Sequence, residues 1–404
     1  NKILAIEDML SNSSESIWTL PDGIDDLLPD EAKTLELCRR LMLQHMNVWG
    51  YELVYPPILE YLDSLLRDID PELNLSTMKM VDQATGRTVG IPADITPQIV
   101  RMESFMPGEG VRRLCYVGPI LKAGLNRYPG SRNPIQIGAE LFGHIGSESD
   151  VEIISLVCDL LKVLKIKGPV IELCDMGLFK HICQNAKINE SLEQKLLTCL
   201  LKRDLSSLRH VLHNYGIASE SGFQIEALLK LNGSKSVLTD AKQIFKEYPD
   251  SVIKDLDALI FVAESLSYLY PDVEIKFDLA ALSGYKYHSS ISFTVFVDDL
   301  GRPLCWGGRY EYESPKDGKK RPGTGFSTDL KSLSRLSHLP KTDFETKTVI
   351  APALLDTELK KYLDQLRSKG FRVIQPLPNE KSKHISQGIV EQNKAGDWSV
   401  KDRD

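Results

Sequence analysis

Residues 116–143, YVGPILKAGLNRYPGSRNPIQIGAELFG, decide how the rest of the chain is read. Two strand-like runs, Leu114 to Leu121 and Ile135 to Phe142, flank a segment rich in Gly, Pro and Asn, the composition of a β-hairpin with a long turn. The second run alternates Ile135, Ile137, Ala139 and Leu141 with Gln136, Gly138 and Glu140. Successive side chains of a strand point to opposite faces, so Gln136 and Glu140 share one. That face is either open to water or the wall of a polar site, and alternation alone leaves both readings standing.

Upstream of the hairpin, Leu35, Cys38, Leu41, Met42 and Met46 recur at helical spacing within Glu31 to Val48, and Gly50 is a stop signal. YELVY (51–55) reads as a strand ended by Pro56 and Pro57, as at a sheet edge. Downstream, Asp150 to Ile166 is an amphipathic helix with Ile153, Ile154, Val157, Leu160, Leu161 and Leu164 on its buried side. The pattern from about 175 to 268 is almost wholly helical and reads as an all-α insertion in a β-rich core. Strands follow at Val273 to Asp278 and Ser290 to Val297, then a turn at Asp298 to Arg302 and a strand ending at Gly307 and Gly308. GTGFSTDLKSLSRL (323–336) reads as a strand entering a helix, and residues 347–376 as strand–helix–strand with Gly370 as the helix stop. The resulting boundaries are a tail over 1–17, a core over 18–340 and a small C-terminal α/β domain over 345–404.

At 404 residues with 42% apolar and 26% charged side chains, the chain can build a large core and a satellite domain. No apolar run is long enough for a membrane span, and the first residues lack a secretory pattern. Seven scattered cysteines without a CxxC fit a reducing, cytoplasmic setting. A net charge of −7 argues against a nucleic-acid partner, which needs a basic stripe; the Lys316 to Arg321 cluster reads as a solvated loop. No phosphate-loop, HExxH, GxSxG or clustered Cys/His metal pattern is present, so neither a metal nor a cofactor is expected.

The hairpin resembles motif 2 of the class II aminoacyl-tRNA synthetases, most closely that of histidyl-tRNA synthetase. Four further segments resemble the same family in the same order: WTLPDGIDDLLP (18–29), IPADITPQ (91–98), ALSGYKYH (281–288), and GGRYE (307–311) joined to GFSTDLKSL (325–333). The helix–strand–proline order ending at Pro57 resembles motif 1, whose role in the family is dimerisation. The resemblance implies an α+β fold: a mostly antiparallel sheet flanked by helices, with the helical insertion and the small C-terminal domain added. It also implies an amino-acid pocket. Asp94, Thr96 and Gln136 match the family's ammonium acceptors, Glu140 the residue that bonds an imidazole, and Tyr287 and Tyr310 the pocket walls. His288 stands at a family Tyr, and Arg132 matches a family Arg on the returning strand. Read without the family, Asp94 and Thr96 are a turn or helix cap before Pro97, and His288 a structural histidine.

The nucleotide side differs. Family arginines that contact ATP are replaced by Lys122, Ser283 and Ser332, and the motif 2 Glu by Gly124. Each such charge-assisted contact contributes about 2–4 kcal/mol to a transition state, so their joint loss would slow adenylation by many powers of ten. A kept amino-acid pocket without its adenylation residues, and with only a short C-terminal remnant, resembles the regulatory subunits of ATP phosphoribosyltransferase. That resemblance implies no catalytic residues and a self-dimer. It implies partnership with the short-form ATP phosphoribosyltransferase catalytic subunit, and L-histidine as effector in a pocket of Asp94, Thr96, Lys122, Arg132, Gln136, Glu140, Tyr287, His288 and Tyr310. The alternatives are an active histidyl-tRNA synthetase-like ligase, with Lys122 standing in for Arg, and a scaffold that binds another amino acid or none.

Overall fold

The computed structural model describes residues 19–66, 71–108, 110–124, 131–217, 219–284, 287–314, 318–340, 347–380, 386–394 and 396–402. The expected 1–17 tail, the hairpin tip at 125–130, residues 285–286 and part of the 316–321 cluster lie outside the described residues. The chain forms two compact units, the first ending at His338 and the second beginning at Leu339.

The first unit opens with α1 (Pro29–Val48), which starts on a proline suited to the first helical position and buries Leu35, Cys38, Met42 and Met46 along one stripe. Gly50, at φ +86°, turns the chain into β1 (Glu52–Val54). A small sheet follows, built from β2 (Glu60–Tyr61), β3 (Met78–Val81) and β4 (Thr88–Ile91), with α2 (Leu62–Leu65) and α3 (Pro71–Ser76) between its strands. Then come α4 (Thr96–Phe105), the hairpin β5 (Arg112–Pro119) and β6 (Ile135–Phe142), α5 (Glu148–Val163) and β7 (Val170–Asp175). The insertion runs through α6 (Met176–Asn185), α7 (Glu190–Leu201), α8 (Leu205–Asn214), α9 (Ser219–Leu228), α10 (Ser236–Phe245) and α11 (Asp250–Leu269). It is not wholly helical: β8 (Asn232–Gly233) pairs with β9 (Glu274–Asp278) at the end of the main sheet. The unit closes with β10 (His288–Phe296), β11 (Cys305–Glu313), β12 (Lys320–Asp329) and α12 (Leu330–Leu336).

The main sheet has nine strands in the order β1-β5-β6-β12-β11-β10-β7-β9-β8. Its pairs are antiparallel except β1 with β5 and β7 with β9. Helix α5, apolar on most of its surface, packs on β6 and β12 and against α1 and α11. Ile137, Ala139 and Leu141 of β6 are fully covered. Both faces of β6 are therefore buried, and Gln136 and Glu140 are 4% and 1% exposed, so their face is not open to water.

One local expectation is corrected. Gly307 and Gly308 do not end a strand; they lie near the start of β11, which continues to Glu313. A side chain at Gly307 would meet the Gly325 carbonyl oxygen at 2.2 Å, so close backbone approach across the ladder, not a turn, requires glycine there. Asp94 lies in the loop after β4, and its carboxylate accepts the Thr96 amide at 2.8 Å as α4 begins, a turn at the helix start.

The second unit contains β13 (Thr348–Ile350), α13 (Thr357–Ser368), β14 (Arg372–Ile374), β15 (Gly388–Gln392) and β16 (Trp398–Asp402). The sheet order is β14-β13-β15-β16, with the first three parallel and β16 returning antiparallel. Asp356 caps α13 by accepting the Leu359 amide at 2.6 Å, and Leu359, Leu363 and Leu366 close onto Val349 and Val390. The final stretch around Trp398 thus adds a hairpin to the strand–helix–strand unit.

Candidate functional site

The register of the main sheet assembles the site. Residues directly opposite each other in a ladder share a face. One cross-strand row reads Phe142, Gly323, Tyr310, His288. The next reads Leu114, Glu140, Gly325, Gly308, Ser292. A third reads Tyr116, Gly138, Ser327, Trp306, Thr294, Glu172, and a fourth Gly118, Gln136, Asp329. This face floors a cavity of about 580 Å³, whose walls come from Asp94 and Thr96, from Lys122, from Ser283, Gly284, Tyr287 and His288, and from the β10–β11 turn at Arg302.

Glycines make the floor low enough for the side chains that lie on it. A Cβ at Gly325 would stand 1.7 Å from Oε2 of Glu140, so the Glu140 carboxyl crosses the neighbouring strand where only hydrogen is tolerated. A Cβ at Gly323 would stand 2.7 Å from the Tyr310 ring, which lies over that position. The two side chains meet there, the Tyr310 hydroxyl donating to Oε2 of Glu140 at 2.8 Å. Burial pushes the Glu140 carboxyl up to about 8; the Asp94 carboxylate adds to the shift and the Tyr310 hydrogen bond opposes it. Near neutral pH this group holds a proton and can donate as well as accept.

Tyr287 stacks on Tyr310 with ring centroids 4.9 Å apart, and the His288 ring meets Tyr287 edge-on at 5.2 Å. Nδ1 of His288 is buried without a hydrogen-bond partner. Burial lowers the His288 pKa to about 4 against the opposing pull of the Arg309 backbone and Asp94, so the ring is neutral. An uncompensated polar atom in a cavity wall is costly unless something arrives to meet it.

At the other side of the floor, Gln136 and Asp94 lock together. Nε2 of Gln136 donates to Asp94 at 2.9 Å, and Oε1 accepts the Ile95 amide at 2.8 Å. Thr96 Oγ1 lies 3.3 Å from the Tyr116 hydroxyl. Carboxylate and hydroxyl are thereby fixed at the cavity edge, the arrangement an ammonium ion requires.

Lys122 lines the cavity with its ammonium 5.9 Å from the Trp306 ring centroid, and burial lowers its pKa. Arg132, by contrast, is not part of the lining. Its guanidinium donates to the Lys122 carbonyl at 2.9 Å and the Asp22 carbonyl at 3.0 Å, and its stem fills the space above Gly23. It ties the 22–23 segment to the hairpin. Of the nine residues singled out in the sequence, the structure thus brings together Asp94, Thr96, Lys122, Gln136, Glu140, Tyr287, His288 and Tyr310, and leaves Arg132 outside.

Ser283 lines the cavity, and neither Ser283 nor Ser332 carries a guanidinium of its own. Ser332 Oγ donates to Asp329 at 2.6 Å and accepts from Arg302 at 2.8 Å. Arg302 and Trp306 line the same cavity and carry no motif signal; they come from a turn and a strand start that sequence patterns mark only as connection. Arg309 of the GGRY segment points to the opposite face, where it pairs with the buried Asp150 at 2.8 Å. Among the described residues no cluster of His, Cys, Asp and Glu could hold a metal ion, and no helix is long and apolar enough to cross a membrane.

Sheet order, glycine-floored cavity and wall residues together define a protein of the histidyl-tRNA synthetase-like class II fold. The family model described as histidyl-tRNA synthetase matches residues 23–333. An ATP phosphoribosyltransferase regulatory subunit/histidyl-tRNA synthetase from Bacillus halodurans superposes with TM-score 0.78 at 22% identity, covering 92% of this chain and 96% of that one. A chain of an ATP phosphoribosyl transferase complex from Thermotoga maritima superposes with TM-score 0.55 at 16% identity, covering 76% of this chain and 98% of that one. The ATP phosphoribosyltransferase regulatory subunit of Alkalilimnicola ehrlichii is 38% identical over 390 residues, which is 96% of this chain and 97% of the relative. This chain belongs to the family of ATP phosphoribosyltransferase regulatory subunits, and it is a non-catalytic subunit on a synthetase-like scaffold.

Proposed function

We propose that this chain activates a short-form ATP phosphoribosyltransferase catalytic subunit and transmits inhibition by L-histidine bound in the cavity. The partner's reaction joins ATP to phosphoribosyl pyrophosphate, the first step of histidine biosynthesis. The carrying observation is the asymmetry of the cavity. Fixed acceptors for an ammonium group (Asp94, Thr96) and a buried carboxyl for a ring nitrogen (Glu140) stand in one enclosure. Ser283 and Ser332, at the family's ATP-contacting arginine positions, bring no guanidinium of their own.

A zwitterion with an imidazole side chain fits these groups. Its ammonium meets Asp94, and its ring reaches the Glu140 carboxyl alongside the Tyr287–Tyr310 stack. The protonated Glu140 carboxyl donates to an unprotonated ring nitrogen. Sequence relatives carry the regulatory role in their name, and the complex from Thermotoga maritima supports a catalytic partner. The buried state of all seven free cysteines suits a reducing cytoplasm. We also read the chain as a dimer, formed through the β1 edge of the main sheet.

Calorimetric titration of the chain with L-histidine, alone and with the catalytic subunit, tests the effector. Saturable binding below millimolar concentration is expected; its absence in both preparations rejects the sensor. Pyrophosphate exchange with histidine and ATP should stay at background, and turnover above it would restore the ligase reading.

A further inference from the structure

We propose that Arg302, together with Lys122, holds the acid group of the amino acid bound in this cavity, in place of the guanidinium absent at Ser283. The inference rests on the effector reading above and assigns a residue that the family pattern leaves without a counterpart.

Three observations carry it. Arg302 sits in the turn between β10 and β11 and lines the same cavity as Asp94, Gln136, Glu140 and Tyr310. It makes one side-chain hydrogen bond, to Ser332 Oγ at 2.8 Å, and no ion pair among the described residues. A guanidinium presents five N–H donors in a planar fork matched to a carboxylate, so most of this fork is unused. Second, Lys122 approaches the same region from the hairpin, its ammonium beside the Trp306 ring. Lys122 is attracted by Asp94 and Asp329 and repelled by Arg302, which puts all four charges in one neighbourhood.

Third, the two nearby carboxylates are already engaged. Asp94 accepts the Thr96 amide and the Gln136 side chain, and Asp329 caps α12 by accepting the amides of Lys331 and Ser332 and the Ser332 hydroxyl. A partly buried guanidinium that faces the cavity with most of its donors unused is a receptor for an anion, and the Lys122 ammonium adds positive charge beside it. A zwitterion whose ammonium is at Asp94 and whose ring is at Glu140 leaves its carboxylate as the third arm. The remaining lining that carries positive charge is Lys122 and Arg302. Their reach from two separate elements also means the acid group bridges the hairpin to the β10–β11 turn.

The test varies ligand and protein together. L-histidine, histidinol and histamine are titrated into the full chain and into its Arg302→Gln and Arg302→Lys variants. The unmodified chain should bind L-histidine at least about tenfold more tightly than either ligand lacking the carboxylate. Arg302→Gln should remove most of that preference by weakening L-histidine alone, and Arg302→Lys should keep part of it. Equal affinity of the unmodified chain for histidine and histidinol overturns the proposal without reference to any variant. So does a full preference surviving in Arg302→Gln, or an equal loss for all three ligands, which would make Arg302 a structural residue. If the unmodified chain binds none of the three, the effector reading itself falls, a result distinct from the others.

Discussion

Glu140 is held at a place where its charge is unwelcome, and that has a measurable consequence. The folded chain keeps a proton on this carboxyl up to about pH 8, whereas the unfolded chain releases it near the ordinary glutamate value of 4.5. Between those limits the native state binds more protons than the unfolded state, so stability falls as pH rises through the window, by at most about 1.4 kcal/mol per unit. Glu140→Gln keeps a group that accepts from Tyr310 and has no proton to lose. Its melting temperature relative to the parent should therefore climb between pH 5 and pH 8, and a difference that stays flat with pH would refute the buried, protonated state. Asp175, also buried and pushed up to about 8, contributes the same slope to both proteins and cancels in the comparison. At this scale the residue types of the site were legible in sequence, but their protonation was not. Alternation marks Glu140 as facing away from the apolar side; only the cavity and α5 on the two faces of β6 tell burial from exposure. Arg132 misled for a related reason: its type fits an anion site, yet the carbonyls of Asp22 and Lys122 claim its donors.

Elements were read more securely than the contacts between them. The spans of β6, α1 and α5 follow from periodicity because each buries a regular stripe or face. The glycines of β11 read as a strand end in the sequence because glycine serves both turns and close ladders, and a sequence does not show the opposing carbonyl of Gly325. Arg302 escaped notice because a turn residue belongs to no period. The β1 edge carries an expectation of its own. Val48, Leu53, Tyr55, Ile58, Leu59 and Tyr61 are exposed along a short stretch that includes this edge strand. Apolar side chains beside unpaired strand groups mark a surface that associates. A Leu53→Lys charge on this strand should shift the chain to a slower-sedimenting monomer while leaving its far-ultraviolet circular dichroism unchanged. An unaltered sedimentation coefficient would reject dimerisation through this edge.

For the whole molecule, a regulatory subunit without chemistry of its own acts only through differences in binding free energy. Histidine in the cavity can inhibit a distant catalytic site only if it binds one arrangement of the assembly more tightly than another. On the proposed reading the cavity reports occupancy in this way, because its walls come from elements far apart in sequence: the loop before α4, the hairpin, Ser283 and Gly284 with Tyr287 and His288, and the β10–β11 turn. A ligand touching all of them ties their positions together. Such coupling is reciprocal, so the factor by which the catalytic subunit changes the affinity for histidine must equal the factor by which histidine changes the affinity for the catalytic subunit. Couplings of this kind amount to about 5- to 150-fold. Titrating histidine into the chain with and without saturating catalytic subunit gives the first factor, and titrating catalytic subunit with and without saturating histidine gives the second. Equal factors above about fivefold are expected. If histidine binds with one affinity in both states, the cavity does not communicate with the partner, and the proposed route of inhibition falls.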